Sequence, residues 1–177
     1  NNFKLSQYIK QYLLPRNYIK EIKSSSNLSP EHSDKNMFDF DFNTTWVSRG
    51  KNNGIGEKIE IKLNKSPLSL IGLINGNMKD SNSYYDYSRV KKVRIDLECV
   101  DYRDSTKTIK ETNEIQLDDI KYSKINNDNF VKMVSIIRDY GDGLTQIKKI
   151  TITILDVYKG NKYPNICITE ILLLAYV

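Results

Sequence analysis

Residues 90–100 read VKKVRIDLECV, and in them Val93, Ile95, Leu97 and Cys99 alternate with Arg94, Asp96 and Glu98. A period of two sends the apolar side chains to one side of an extended chain and the charged ones to the other. The stretch is therefore a strand with one face in a core and one in water. The pattern recurs with Ile59, Ile61 and Leu63 against Lys58, Glu60 and Lys62, and again with Ile150, Ile152 and Ile154 against Thr151 and Thr153. Further strands are expected over 68–74, 114–117, 130–137 and 166–176, with a strand-like IKEIKSSS at 19–26. Asn75-Gly76-Asn77, residues 139–143 and residues 157–163 supply turns between them, and residues 77–89 read as a polar loop. Short, β-branched strands at regular spacing with few helical windows predict an all-β sandwich.

One stretch departs from this. Phe3, Leu5, Tyr8, Ile9, Tyr12 and Leu13 recur at roughly helical spacing until Pro15 stops them. A short amphipathic helix is expected there, with residues 1–21 set apart as a segment or linker ahead of a domain over 22–177.

The chain of 177 residues is long enough for one domain with a core of its own. Its 27 basic and 22 acidic residues leave a net charge of +5 without a concentrated basic face, which argues against nucleic acid as a partner. No apolar run has the length of a membrane helix. Cys99 and Cys167 both fall in apolar strands, as buried thiols or as one disulfide.

The chemistry-bearing stretch is NMFDFDFNTTWVSRGKNNGIGEKIEIKL, residues 36–63. Asp39, Asp41, Asn43, Thr44 and Thr45 crowd carboxylate, amide and hydroxyl oxygens into one loop, the donor set a hard cation such as calcium takes. The D-x-D-x-N spacing is not an EF-hand, because Thr44 stands where that loop needs glycine and Gly50 where it needs glutamate. Hydrogen bonds from Asp and Asn to nearby amides hold such a loop equally well. Trp46, which follows, is either core or a sugar-stacking ring. Gly54-Ile55-Gly56 has no βαβ setting and reads as a turn, not a phosphate cradle. His32, the single histidine, has no nucleophile patterned around it, so no enzyme is expected.

The ordered set SSSNL (24–28), Asn36-x-x-Asp39-x-Asp41-x-x-Thr44-x-Trp46, GIGEKIEI (54–61), INGN (74–77), Tyr85-x-x-Ser88-Arg89-x-Lys91, ITITILDVYKGNKY (150–163) and CITEI (167–171) resembles a known family. It is similar to the discoidin-like NADase-type glycan-binding domain, a branch of the galactose-binding-like (F5/8 type C) jelly rolls. The resemblance implies an antiparallel jelly-roll β-sandwich and non-catalytic binding of a glycan or glycoprotein, or of a protein partner in adhesion or translocation. It also implies a monomer in a secreted, cell-surface or periplasmic bacterial setting. Streptococcal NAD glycohydrolases carry such a domain beside a catalytic one, to which nothing here is similar. A structural calcium is implied too, held by Asp39 and Glu170 side chains and by Asp41 and Thr44, with Glu170 costly in its apolar strand unless paired or metal-bound. A glycine usual between the two acidic positions is here Phe40, which a positive φ would strain. Asn165 likewise stands where an acid is common. In a jelly roll the strand-end loops gather, so Tyr84, Tyr85, Tyr87 and Arg89 are expected to meet Arg49, Asn53 and Lys162 as the ligand face.

Overall fold

The alternating stretches become strands, and two packed sheets take up their apolar faces. The computed structural model describes residues 4–66, 68–101, 104, 106–126, 131–135 and 146–175. Among them the strands are β1 (Ile19–Ser24), β2 (Trp46–Val47), β3 (Lys58–Ser66), β4 (Leu70–Asn75), β5 (Arg89–Val100), β6 (Thr108–Gln116), β7 (Val131–Ser135), β8 (Gln146–Tyr158) and β9 (Cys167–Leu174). A five-stranded sheet runs β1-β3-β8-β5-β6 and a four-stranded one β2-β9-β4-β7. Each strand pair is antiparallel, which gives the jelly-roll sandwich.

The alternating residues of β3, β5 and β8 line the core opposite Ile71, Leu73, Ile168, Ile171 and Leu173. Their charged neighbours face water in cross-strand pairs, among them Lys92–Glu114 and Lys149–Glu60. In β9 all eight residues are buried. Its outward-facing side chains meet a second apolar cluster, in which Ile74, Leu172 and Leu174 pack against Leu5, Phe42, Met78 and Tyr84. The four-stranded sheet is thus covered on both faces, and its strands read as continuous apolar runs where β5 alternates.

The N-terminal helix is a single turn, α1 (Gln7–Lys10), capped by the Ser6 hydroxyl on the Ile9 amide. Leu5, Ile9 and Leu13 do pack inward as their spacing implies. Residues 12–14, however, are drawn alongside β9, where Leu14 donates to the Leu173 carbonyl and Ala175 to that of Tyr12. Two β9 hydrogen bonds outweigh another turn of a short, isolated helix. Since β1 also begins at Ile19, the fold reaches well ahead of residue 22.

The expected 77–89 loop contains a second short helix, α2 (Ser81–Asp86), with Asp80 accepting from the Ser83 amide at its N-terminus. The 114–117 strand is the end of β6, whose mixed polar composition suits an edge position. The expected turn at 139–143 lies outside the described residues, as do Phe3, Phe130, residues 136–137 and Tyr176. Cys99 and Cys167 are both buried, one in each sheet, and are not joined in a disulfide. Burial pushes the Cys167 thiol well above its usual range.

Candidate functional site

Two places draw the sequence candidates together. The first is the Asp39 loop, beside β9. Asp39 accepts from the Asp41 amide at 2.9 Å and from the Thr44 hydroxyl at 2.7 Å. Asp41 accepts from the amide and side chain of Asn43 and offers its carbonyl to the Thr44 hydroxyl at 3.0 Å. Glu170 faces this loop from β9 with no exposed surface; its carboxyl lies against the Asp39 carboxyl and the Phe40 amide, although neither oxygen meets a donor in good hydrogen-bond geometry. Burial first, and the neighbouring Asp39 carboxyl second, push the Glu170 pKa up to about 9. The Phe40 amide and the Arg16 guanidinium act in the opposite sense.

Among the described residues no three His, Cys, Asp or Glu side chains cluster around a metal-sized space. What the loop offers is two carboxylates supplemented by carbonyls and one hydroxyl, which is how calcium sites are commonly completed. A fully buried carboxylate beside a second one is costly unless it is protonated or meets a cation. The oxygen types present are those a calcium ion takes, while Asp39 and Asp41 already accept hydrogen bonds within the loop.

Phe40 occupies the left-handed region at φ 59° and is 50 % exposed. A side chain there costs about 1–2 kcal/mol, and so exposed a ring recovers little by packing. Phe40→Gly is expected to stabilise the protein by about 0.5–1 kcal/mol in urea unfolding, less than the full strain because glycine frees the unfolded chain. A loss of stability would show that the ring's contacts outweigh its strain.

The second place is the end of the sandwich where β4, β6 and β8 finish and β3, β5 and β9 begin. The turn at 159–165 is wedged there between two other loops. Gly160 makes the fit possible: a Cβ on it would lie 2.4 Å from the Asp86 carbonyl and 2.8 Å from the Ser88 nitrogen. The amides of Asn161, Lys162 and Tyr163 then donate to the carbonyls of Tyr85, Asp86 and Asp86. On the other side buried Asn165 donates to the Ser48 carbonyl at 2.9 Å, and Ser48 accepts from the Ile166 amide. Asn52, Asn53 and Gly54 run consecutively through positive φ, with Gly54 pressed on Ile166.

The expected ligand residues separate at this point. Arg49 is exposed, Asn53 half-buried and Lys162 exposed, all on the two loops that meet around Asn165. Tyr87 is half-buried and stacks on Tyr163 with ring centroids 4.7 Å apart. Lys162 lies over the Tyr163 ring at 5.0 Å. Tyr163, 36 % exposed, belongs to this face and was missed; its place after the Gly160 turn was the available signal.

Arg89 and Tyr84 are not on that face, contrary to expectation. Arg89 is 4 % exposed and grips both carboxylate oxygens of Asp119 at 2.9 and 3.1 Å while donating to the Tyr84 carbonyl. Tyr84 is buried beneath the guanidinium and donates to the Ile120 carbonyl. The Tyr85 hydroxyl accepts from the Tyr122 amide. These residues pin α2 to the 117–125 loop, because inward-facing polar groups find their partners within the protein. Trp46 is core as well, fully buried with its indole donating to the Ser26 carbonyl.

Comparison with known proteins now bears on the whole chain. The sequence profile of the NAD glycohydrolase translocation F5/8 type C domain matches residues 14–174. The chain belongs to this family. The match also begins ahead of residue 22, in line with the pairing of residues 12–14 on β9.

No curated protein sequence matches this translocation-type F5/8 domain. Among solved structures it is similar to the family 32 carbohydrate-binding module of Clostridium perfringens NanJ, solved with galactose. The TM-score is 0.57 at 16% identity over 92% of this chain and 97% of that one. A Clostridium perfringens module, CBM32-3 of a family 31 glycoside hydrolase, gives 0.62 at 16% over 97% and 99%. An F5/8 type C domain from Bacteroides fragilis gives 0.62 at 15% over 93% and 95%. At such identity these likenesses establish the fold.

Proposed function

We propose that this F5/8 type C domain is a non-catalytic carbohydrate-binding module acting outside the cytoplasm, with a glycan held at the 48–56 and 159–165 loops. The observation that carries the reading is the wedged turn. Gly160 and Asn165 fix it rigidly, while Tyr163, 36 % exposed, stands at the surface with Tyr87 stacked on it and the Lys162 ammonium over its ring. Sugar recognition needs such a preset aromatic face for C–H surface, with amide and cationic donors for hydroxyls. Asn53 and Arg49 supply those donors from the neighbouring loop. The NanJ module solved with galactose, of the same fold, supports a sugar as the ligand class. Calcium, held by Asp39, Asp41, Thr44 and Glu170, would neutralise the converging carboxylates and fix the loop, with no part in contacting the sugar.

A glycan array probed with the calcium-loaded protein tests this reading. Tyr163→Ala is expected to lower the affinity for the captured glycan at least tenfold, within reach of losing one aromatic anchor. The melting temperature should hardly change, because the ring lies at the surface. If the wild type captures no glycan, the second reading stands, a protein partner at the same face, which the family's translocation description supports.

A further inference from the structure

We infer that the glycan is an acidic one, recognised through a carboxylate or sulfate group; the inference rests on the carbohydrate reading above. It comes from where the protein matches its charges and where it leaves them open. On the five-stranded sheet five cations are met by carboxylates, Lys62 by Glu21, Lys91 by Asp156, Lys92 by Glu114, Arg94 by Asp96 and Lys149 by Glu60, while Lys20, Lys23, Lys110 and Lys148 stand singly along the strands without an ion pair among the described residues. Even the interior Arg89 has Asp119.

At the loop end three such cations gather on two adjoining loops. Arg49 is exposed, and its guanidinium has no partner among the described residues; only its backbone amide is bonded, to the Ser26 hydroxyl. Lys159 is exposed and likewise without an ion-pair partner among the described residues. Lys162 rests on the Tyr163 ring, and its pKa is raised first by the hydrogen bond to Tyr163 and then by the charges of Tyr163 and Asp86.

The acids at this end offset these cations only in part. Glu57 is occupied by the hydroxyls of both Ser25 and Ser26. Asp86 is half-buried and influences Lys162 without approaching to ion-pair distance, while its carbonyl is bonded to the turn. Around the aromatic ring three cations, Arg49, Lys159 and Lys162, thus stand against two carboxylates, Glu57 and Asp86, and none of the three is in an ion pair among the described residues. An unpaired arginine presents a planar fork that fits a carboxylate or sulfate through two parallel hydrogen bonds. A neutral sugar would leave that fork to water.

Calorimetric titration of the calcium-loaded domain separates the possibilities. The probes are a galacturonic acid trisaccharide for carboxylate, a heparin-derived tetrasaccharide for sulfate, and galactose and lactose as neutral sugars. One acidic probe should bind at least tenfold more tightly than the neutral sugars at low salt, and its affinity should fall as salt screens the charges. Which probe binds identifies the anionic group. Arg49→Ala should remove that preference with the melting temperature unchanged, and Arg49→Lys should retain the salt dependence at reduced affinity. Neutral sugars binding as tightly as the acidic probes, without salt dependence, would overturn the inference and leave the carbohydrate reading intact. Absence of binding to every probe and to the glycan array would overturn both.

Discussion

Replacing Glu170 by glutamine should raise the melting temperature of the domain in chelator and abolish the further rise expected of the wild type in calcium. The Glu170 carboxyl has a pKa of about 9 in the fold against 4.5 as its ordinary value. Folding without a cation therefore takes up a proton between these two values. The group's contribution to stability is greatest below the lower one and is lost as pH rises through the upper one. Calcium requires the carboxylate, so it binds more tightly as pH rises and offsets that loss. At a free concentration a hundredfold above Kd, an ion bound only by the native state adds about 2.7 kcal/mol. In a domain of this size that amounts to roughly 5–10 °C. The glutamine variant never carries the charge, so its chelated form should show a flatter pH dependence and no calcium effect. Scanning calorimetry at pH 6 and pH 9, with calcium and with chelator, checks both halves. Identical wild-type curves with and without calcium would remove the proposed site, and a variant less stable than the chelated wild type would show that Glu170 has an internal partner.

Arg89→Ala should cost about 2–4 kcal/mol, read as a fall in the urea midpoint with an unchanged slope. The guanidinium is almost fully enclosed, whereas the side chain of Asp119 is 36 % exposed. The released carboxylate can therefore recover water, which places the loss below that of a fully buried pair. The remainder comes from the Tyr84 carbonyl left without its donor and from the two tyrosine rings over which the cation lies, at 4.7 and 5.4 Å. Arg89→Lys should recover only part of the loss, since an ammonium cannot grip both oxygens of Asp119 in the same plane. A variant that stays as stable as the wild type would return Arg89 to the surface and to the ligand candidates.

These two residues mark how far the sequence alone could be read. Glu170 stood out because a carboxylate among Ile168, Ile171 and Leu172 needs a reason, and burial supplies it. Arg89 misled because it adjoins three tyrosines in a stretch that looked like an open loop. Its partner Asp119 is thirty positions away, and no local pattern announces a contact across that distance. Strands with one wet face were legible from period alone. Strand β6 was only partly so, because an edge strand with mixed polar composition has no apolar stripe to declare it. Residues 12–14 carried a helical spacing that pairing with β9 overrode. The loop end proposed for binding was half legible: Arg49, Asn53 and Lys162 sit on adjoining loops, but Tyr163 emerged only when Gly160 showed how closely the turn approaches α2.

The arrangement of strands also governs how the domain can be made. The strand at the centre of the five-stranded sheet, β8, and the fully buried β9 of the other sheet both come from the last third of the chain. Until they emerge from the ribosome, β3 and β5 have no common neighbour, and β2 and β4 have none either. Pairing between such distant segments must overcome the entropy of closing long loops, so formation of the native state is slow and late. A nascent chain ending before residue 146 would expose the apolar faces of β3, β4 and β5 together. Such a chain would depend on a chaperone, or on rapid completion of synthesis, to escape aggregation.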